Sequence, residues 1–216
     1  MKERTQSFVN AFFERHPDLV CIRKEILKAA DLWTYVLGNG GKILLCGNGG
    51  SCADCEHIAG ELLKGFILKR EPKDKELKWL SEEMGAEAEL LQRGICAIPL
   101  PSISGAMTAY ANDVDPSLVY AQLVYAMGKS GDVLVAISTS GNSANVVKAA
   151  KCAKALGISV IALTGESGGE LLDIADACVR APALDTYKVQ EYHLPIYHAI
   201  CLEVEHKIFA TPKPQQ

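Results

Sequence analysis

The sequence predicts an α/β fold, a doubly wound parallel sheet of five strands flanked by helices and preceded by a helical pair. Three observations lead there. Short β-type runs alternate with stretches of helical period, which is the pattern of strand–helix–strand units. Two runs, Val133-Leu134-Val135-Ala136-Ile137 and Val160-Ile161-Ala162-Leu163, are almost continuously apolar, as strands covered on both faces are. Polar, glycine-containing turns follow two of the strands and open helices, and doubly wound sheets bind ligands beyond the carboxyl ends of their strands.

Taken in order, residues 4–37 show apolar positions three and four apart, among them Phe8, Phe12, Ile22, Ile26, Leu27, Ala30, Trp33 and Val36. Pro17 divides this stretch into two helices, and Gly38-Asn39-Gly40-Gly41 stops the second. Strands are expected at Lys42–Cys46, Ile95–Ile98, Asp132–Ser138, Ile158–Thr164 and Cys178–Ala181. Helices are expected at Ser51–Lys64, Ser104–Ala111, Leu118–Met127, Ala144–Leu156, Gly169–Ala175 and Tyr187–Phe209. The rhythm breaks between Lys69 and Arg93, where six basic and seven acidic residues surround few apolar ones. This region reads as a surface insertion, 67–94, with short amphipathic helices at Glu76–Leu80 and Glu82–Gln92 that lie on the outside or over a site as a lid. One domain over 1–216 is expected, with 1–38 as its N-terminal helices.

With 216 residues, 49% of them hydrophobic, and a net charge of −4, the chain has the make-up of a globular protein. Basic residues are interspersed with acidic ones and form no stripe, so neither nucleic acid nor a membrane is an expected partner. The apolar stretches are far shorter than the roughly 20 residues that span a bilayer, and the first residues carry no export signal. Eight dispersed cysteines fit reduced thiols in the cytoplasm. Cys52-Ala53-Asp54-Cys55 has the spacing of a redox or zinc motif, but no second ligand pair accompanies it, and packing is the simpler reading.

Two turns are suited to an anion. Ser138-Thr139-Ser140-Gly141-Asn142-Ser143 joins a strand to a helix, where free N–H groups, hydroxyls and a glycine converge. The alternative is a polar loop in which Ser143 only caps the helix. Gly47-Asn48-Gly49-Gly50-Ser51 likewise follows a strand and opens a helix, and Ser51 there either caps the helix or donates to a phosphate. Neither turn matches G-x-x-x-x-G-K-[ST] or G-x-G-x-x-G, so no nucleotide cofactor is expected.

His57 and Glu61 stand four apart on one helix face and can meet one ion or substrate, though such pairs are commonly surface contacts. Gln190, Glu191, His193 and His198 interrupt a mostly apolar final helix, where buried polar groups need partners or serve a site. A carboxylate and an imidazole suffice to move a proton between neighbouring sugar carbons through an enediolate. Glu61 is the candidate for the carbon proton and His198 for the oxygen proton.

Together these segments resemble the SIS (sugar isomerase) domain family and, within it, the sedoheptulose 7-phosphate isomerases. The resemblance spans most of 5–66 and 95–209. It rests on Gly47–Ser51, His57-x-x-x-Glu61, Ala111-Asn112-Asp113, Ile137–Val146, Leu163-Thr164-Gly165, and Gln190-Glu191-x-His193 followed by His198. It implies a flavodoxin-like SIS fold and interconversion of sedoheptulose 7-phosphate with D-glycero-D-manno-heptose 7-phosphate. Asn48, Gly49, Gly50, Ser138, Thr139, Ser140 and Ser143 would bind the phosphorylated sugar, with Asn112, Asp113 and Gln190 on its hydroxyls. Glu61 and His198 match the family's acid/base pair. His57, Glu61, Gln190 and His198 match the ligands of members that bind zinc, one ion per site.

Eight helical residues rise about 12 Å, so Gln190 and His198 of one straight helix do not readily reach one ion. A site shared between subunits removes the difficulty, and the family's members are similar in being tetramers with sites at subunit interfaces. Two departures stand out: residues 67–94 exceed the family's connection, and Lys64-Gly65-Phe66 lacks the arginine expected shortly after the glutamate. The competing expectations are a non-catalytic SIS module, acting as sugar-phosphate sensor or protein-binding adaptor, and an isomerase of amino-sugar phosphates.

Overall fold

In the computed structural model of the chain residues 2–210 are described, with side chains from Val9 onward. Met1 and residues 211–216, which the expected domain 1–216 includes, and the Phe8 side chain lie outside the described residues. Helices α1 (Lys2–Arg15) and α2 (Arg23–Gly38) are separated at Pro17, as the sequence predicts, with Pro17–Ile22 forming a 3-10 turn between them. There follow β1 (Ile43–Gly47), α3 (Gly50–Leu63), α4 (Asp74–Met84), β2 (Ala97–Pro99), α5 (Ser104–Asp113), α6 (Val119–Met127), β3 (Val133–Ile137), α7 (Ala144–Ala155), β4 (Ser159–Thr164), α8 (Leu171–Ile174), β5 (Ala177–Arg180) and α9 (Thr186–Phe209).

All five strands are parallel, in the order β2-β1-β3-β4-β5. Strand alternation sends Ile43, Leu45, Val133, Val135 and Ile137 to the face covered by α1, α2, α3 and α9. Leu44, Cys46, Leu134 and Ala136 go to the other face, under α6, α7 and α8. Each fully buried Leu, Ile or Val in these layers contributes about 1.5–3 kcal/mol by leaving water. The continuous apolar strands therefore hold two cores apart with one sheet.

This strand order reverses direction between β1 and β3, and in doubly wound sheets the crevice outside that switch point receives the ligand. Gly47 pairs with Ile137, so the turns that follow β1 and β3 leave the sheet side by side.

The insertion differs from expectation. In place of two short helices it forms one helix, α4, followed by a 3-10 turn at Gly85–Leu90, because nothing between Leu80 and Met84 interrupts the helix. No residue of α4 is buried, which fits a surface segment. One residue ahead of α4 departs from this: Arg70 is enclosed and ion-paired with Glu205 of α9 at 2.7 Å. Burial alone raises the Glu205 pKa, but the N–H groups of Ile67 and Phe66 and the Arg70 guanidinium outweigh it and hold the carboxyl below its usual range. The expected helix Gly169–Ala175 is reduced to α8, since Gly168 and Gly169 belong to the preceding turn.

Candidate active site

The turn after β3 is built by its own residues. Ser138 Oγ donates to Ser143 Oγ at 2.9 Å, Gly141 N–H donates to the Ser138 carbonyl at 2.9 Å, and Asn142 N–H donates to Ser140 Oγ at 3.2 Å. Ser143 occupies the cap position of α7, but its side chain caps no N–H of the helix. That leaves the helix start, with its partial positive charge, open to an anion.

Gly141 takes a φ of +69°, and a Cβ there would lie 1.9 Å from the Gly168 carbonyl oxygen. Only glycine fits between these two turns. The Gly165–Gly169 turn braces the serine turn from behind, with Gly165 N–H bonding the Thr139 carbonyl at 2.9 Å and Glu170 N–H bonding Asn142 Oδ1 at 2.9 Å.

Beside it, Asn48 and Asn145 exchange two amide hydrogen bonds of 2.9 Å each, so the glycine turn and the start of α7 are tied together. Ser51 is buried with its Cβ against Gly47, and Tyr120 Oη donates to the Gly47 carbonyl at 2.6 Å. A Cβ on Gly50 would meet the Gln190 amide nitrogen at 2.6 Å, which places Gln190 directly over this turn.

The residues expected to act as acid and base converge further along the same helix pair. His57 and Glu61 of α3 and His198 of α9 present ligand atoms that all lie within 4.8 Å of one another. Glu61 Oε1 is 3.3 Å from His57 Nε2, and His198 Nε2 is 3.4 Å from that same nitrogen. Tyr197 Oη shares a 2.9 Å hydrogen bond with His57 Nδ1, and Lys64 Nζ reaches Glu61 Oε2 at 3.2 Å. Burial, then the neighbouring His57, pushes the His198 pKa below its usual value, with Glu61 acting in the opposite sense. A neutral imidazole beside a carboxylate can accept and return a proton.

Helices α3 and α9 run alongside each other in matching register, Gln190 at Gly50 and His198 at His57. Within one chain Gln190 therefore stands two turns, about 12 Å, before the cluster of the other three residues. Asn112 and Asp113 are exposed at the end of α5, where Asn112 Nδ2 donates to Asp113 Oδ1 at 2.9 Å.

Four residues around the cluster escape the sequence reading. Tyr197 holds His57, Asp54 sits beside Tyr197 with its carboxyl pushed up to about 6 by burial, and Arg70 with Glu205 supports the end of α3. Of these only Tyr197, a polar-tipped residue next to His198 in an apolar helix, carries a local signal. Cys55 is buried and Cys52 partly so, and burial raises both thiols, as packing residues require. Every cysteine is free.

A parallel sheet of this order, with a hydroxyl-lined turn at its switch point and a His–Glu–His cluster on α3 and α9, is the architecture of a SIS-domain protein. The family model for the SIS domain matches residues 21–95 and 91–165. The chain is 43% identical over 171 residues to a phosphoheptose isomerase of Mycobacterium tuberculosis, covering 79% of this chain and 76% of that protein. It is 33% identical over 219 residues to one from Shewanella baltica, over 100% of both. The solved structure of phosphoheptose isomerase GmhA from Neisseria gonorrhoeae matches with a TM-score of 0.71 at 34% identity, over 94% of this chain and 98% of that one. The chain belongs to the SIS-domain family and, within it, to the phosphoheptose isomerases.

Proposed function

We propose that the chain is an aldose–ketose isomerase that interconverts sedoheptulose 7-phosphate and D-glycero-D-manno-heptose 7-phosphate. The phosphate ester sits on the Ser138–Ser143 turn at the start of α7, held by Ser138, Thr139, Ser140 and Ser143. Asn48, Gly49 and Gly50 line the neighbouring turn. Glu61 takes the proton from C1 of the ketose and returns it to C2 through the enediolate, while His198 carries the proton from O1 to O2. Atoms balance, since one hydrogen moves between carbons and one between oxygens. The observation that carries this reading is the convergence of His57, Glu61 and His198 within 4.8 Å, because a protein that only binds sugar phosphates needs the serine turn and no such cluster.

The same convergence supports a metal. Two imidazole nitrogens and a carboxylate oxygen directed at one another suit zinc, and no cysteine is among them. His57, Glu61 and His198 would hold one ion per site. When bound, that ion supplies Lewis-acid polarisation of the sugar carbonyl. Since Gln190 stands two turns away along α9, its part in the ligand set belongs to a site completed by a second copy of the chain, in a tetramer with active sites at subunit interfaces. Asn112 and Asp113 serve the sugar hydroxyls in that assembly. The reading takes 1–216 as one SIS domain with 67–94 inserted, and cytoplasmic residence goes with its eight free thiols.

The test incubates the purified chain with sedoheptulose 7-phosphate in deuterated water, with zinc or with a chelator, and follows C1 exchange and product by NMR. Exchange and product with zinc are expected. Tight binding without exchange in either condition rejects the enzyme in favour of a sensor.

A further inference from the structure

Arg70 of the insertion and Glu205 of α9 form a buried pair next to the end of α3. Arg70 and Glu205 side chains are both 0% exposed, and each satisfies several backbone groups besides its partner. Arg70 Nη1 donates to the Leu62 carbonyl at 2.7 Å and Nη2 to the Glu61 carbonyl at 3.2 Å. These carbonyls belong to the last turn of α3, where a helix leaves its acceptors without intrahelical donors. The backbone of the proposed catalytic carboxylate is thus held by the guanidinium.

Glu205 accepts the N–H groups of Phe66, Ile67 and Leu68 at 2.8, 2.9 and 3.1 Å. It lies seven residues after His198 on α9, two turns on and on the same face. By holding Phe66 N–H it also sets the Phe66 ring, which packs against the His198 imidazole with centroids 5.4 Å apart. On the other side Phe209 lies over the Arg70 guanidinium, 4.7 Å from its ring centroid. One ion pair therefore touches the end of the helix that carries Glu61, belongs on its Glu205 side to the helix that carries His198, and holds the backbone of Phe66, whose ring abuts His198.

We infer that Arg70 and Glu205 are positioning residues for the isomerisation, setting the distance between Glu61 and His198 through the Glu61 carbonyl and the Phe66 ring. The inference rests on the isomerase reading above. A charged pair enclosed in the core is a poor device for stability alone, since well-packed apolar residues often replace one at no loss. Here its geometry is spent on the two helices that must present an acid and a base together.

Four single variants test it: Glu205→Gln, Arg70→Lys, Phe66→Leu and, as a control, Asp132→Asn. Asp132 is buried and paired with Lys42 at the opposite end of the sheet from the serine turn. Each is measured for kcat and KM on sedoheptulose 7-phosphate, for Kd of inorganic phosphate by calorimetry, for zinc affinity against a chromophoric chelator, and for melting temperature. Glu205→Gln is expected to lower kcat by about 30-fold and zinc affinity by about tenfold, with phosphate Kd within about twofold of wild type. Arg70→Lys keeps the Glu205 contact but forfeits the fork that reaches both carbonyls, and falls between wild type and Glu205→Gln. Phe66→Leu lowers kcat by about fivefold. Asp132→Asn lowers the melting temperature and leaves kcat and zinc affinity unchanged.

Wild-type kcat in Glu205→Gln, or a loss of phosphate affinity equal to its loss of kcat, overturns the inference. If Glu205→Gln does not fold, Arg70→Lys and Phe66→Leu decide, and unchanged kcat and zinc affinity in both overturn it. A wild-type chain that binds zinc without turnover refutes the isomerase reading and the role in isomerisation with it, leaving only the setting of Glu61 against His198. The zinc affinities then decide the positioning role, and equal values across the variants reject it. A wild-type chain with neither turnover nor zinc affinity overturns both.

Discussion

The serine turn and the acid/base cluster are built in opposite ways. The turn is six consecutive residues between β3 and α7, closed by bonds among its own members such as Ser138 to Ser143 at 2.9 Å. The cluster takes His57 and Glu61 from α3 and His198 from α9, with His57 and His198 separated by 141 positions in the chain. Its members are aimed by residues outside any motif: Tyr197 on His57, and Arg70 with Glu205 behind Glu61. The contrast teaches that a turn suited to an anion can be specified by neighbours in sequence, whereas the cluster proposed for proton transfer depends on how two long helices pack. Changes to the turn should therefore appear in affinity and changes to the cluster in turnover.

The largest effect that would sharpen this division is Glu61→Gln, expected to lower kcat by about 100-fold or more while sugar-phosphate binding stays near wild type. Loss of binding in step with kcat would merge the two regions into one. Ser143→Ala should do the reverse. Removing a hydroxyl from the proposed phosphate cradle is expected to weaken sugar-phosphate affinity by about tenfold or more, with the rate at saturation changed little; calorimetry and steady-state kinetics together read both quantities.

A third prediction concerns the scaffold that joins the regions. His193 of α9 is enclosed, its Nε2 3.3 Å from the Thr164 carbonyl at the end of β4, and its Nδ1 has no hydrogen-bond partner among the described residues. Burial lowers its pKa to about 4 from the usual 6.5, only partly opposed by the Thr164 hydrogen bond. Between those values the unfolded chain binds one more proton than the folded one. This residue's contribution to stability is therefore complete above pH 6.5 and is lost as pH falls towards 4, by about 1.4 kcal/mol per pH unit. Urea unfolding across that window should show the slope in wild type and its loss in His193→Gln; an unchanged slope would trace acid sensitivity to other groups.

The smallest effect is at the seam between the two turns. Asn145→Ala removes the exchanged amide pair with Asn48 and should raise KM by about threefold without touching kcat, since exposed neutral hydrogen bonds contribute little. A matching fall in kcat would mean that the turns and the cluster are coupled through Asn48.

Much of the fold and of the site is legible in the residues alone. The apolar runs at 133–137 and 160–163 announce strands covered on both faces, and the serine turn after the first of them announces an anion site, because strand, turn and cap signals all lie within a few residues of the atoms they organise. The His57–Glu61 face follows from helical spacing alone. The insertion is less legible. Its charge density reads as solvent-facing, and α4 obeys, but Arg70 is drawn inside by Glu205, 135 residues later in the chain. No window of local sequence contains that pairing.

What the sequence determined by itself is the class of fold, the serine turn and the types of residue available for proton transfer, since these rest on periodicities and turn chemistry that act over one or two turns of chain. The tertiary structure decided which of them meet. It set α3 against α9 in a register that brings His198 to His57 and leaves Gln190 at Gly50, and it buried the ion pair behind Glu61. The reason is that helix register and burial are set by the packing of both sheet faces at once, a sum over contacts from the whole chain.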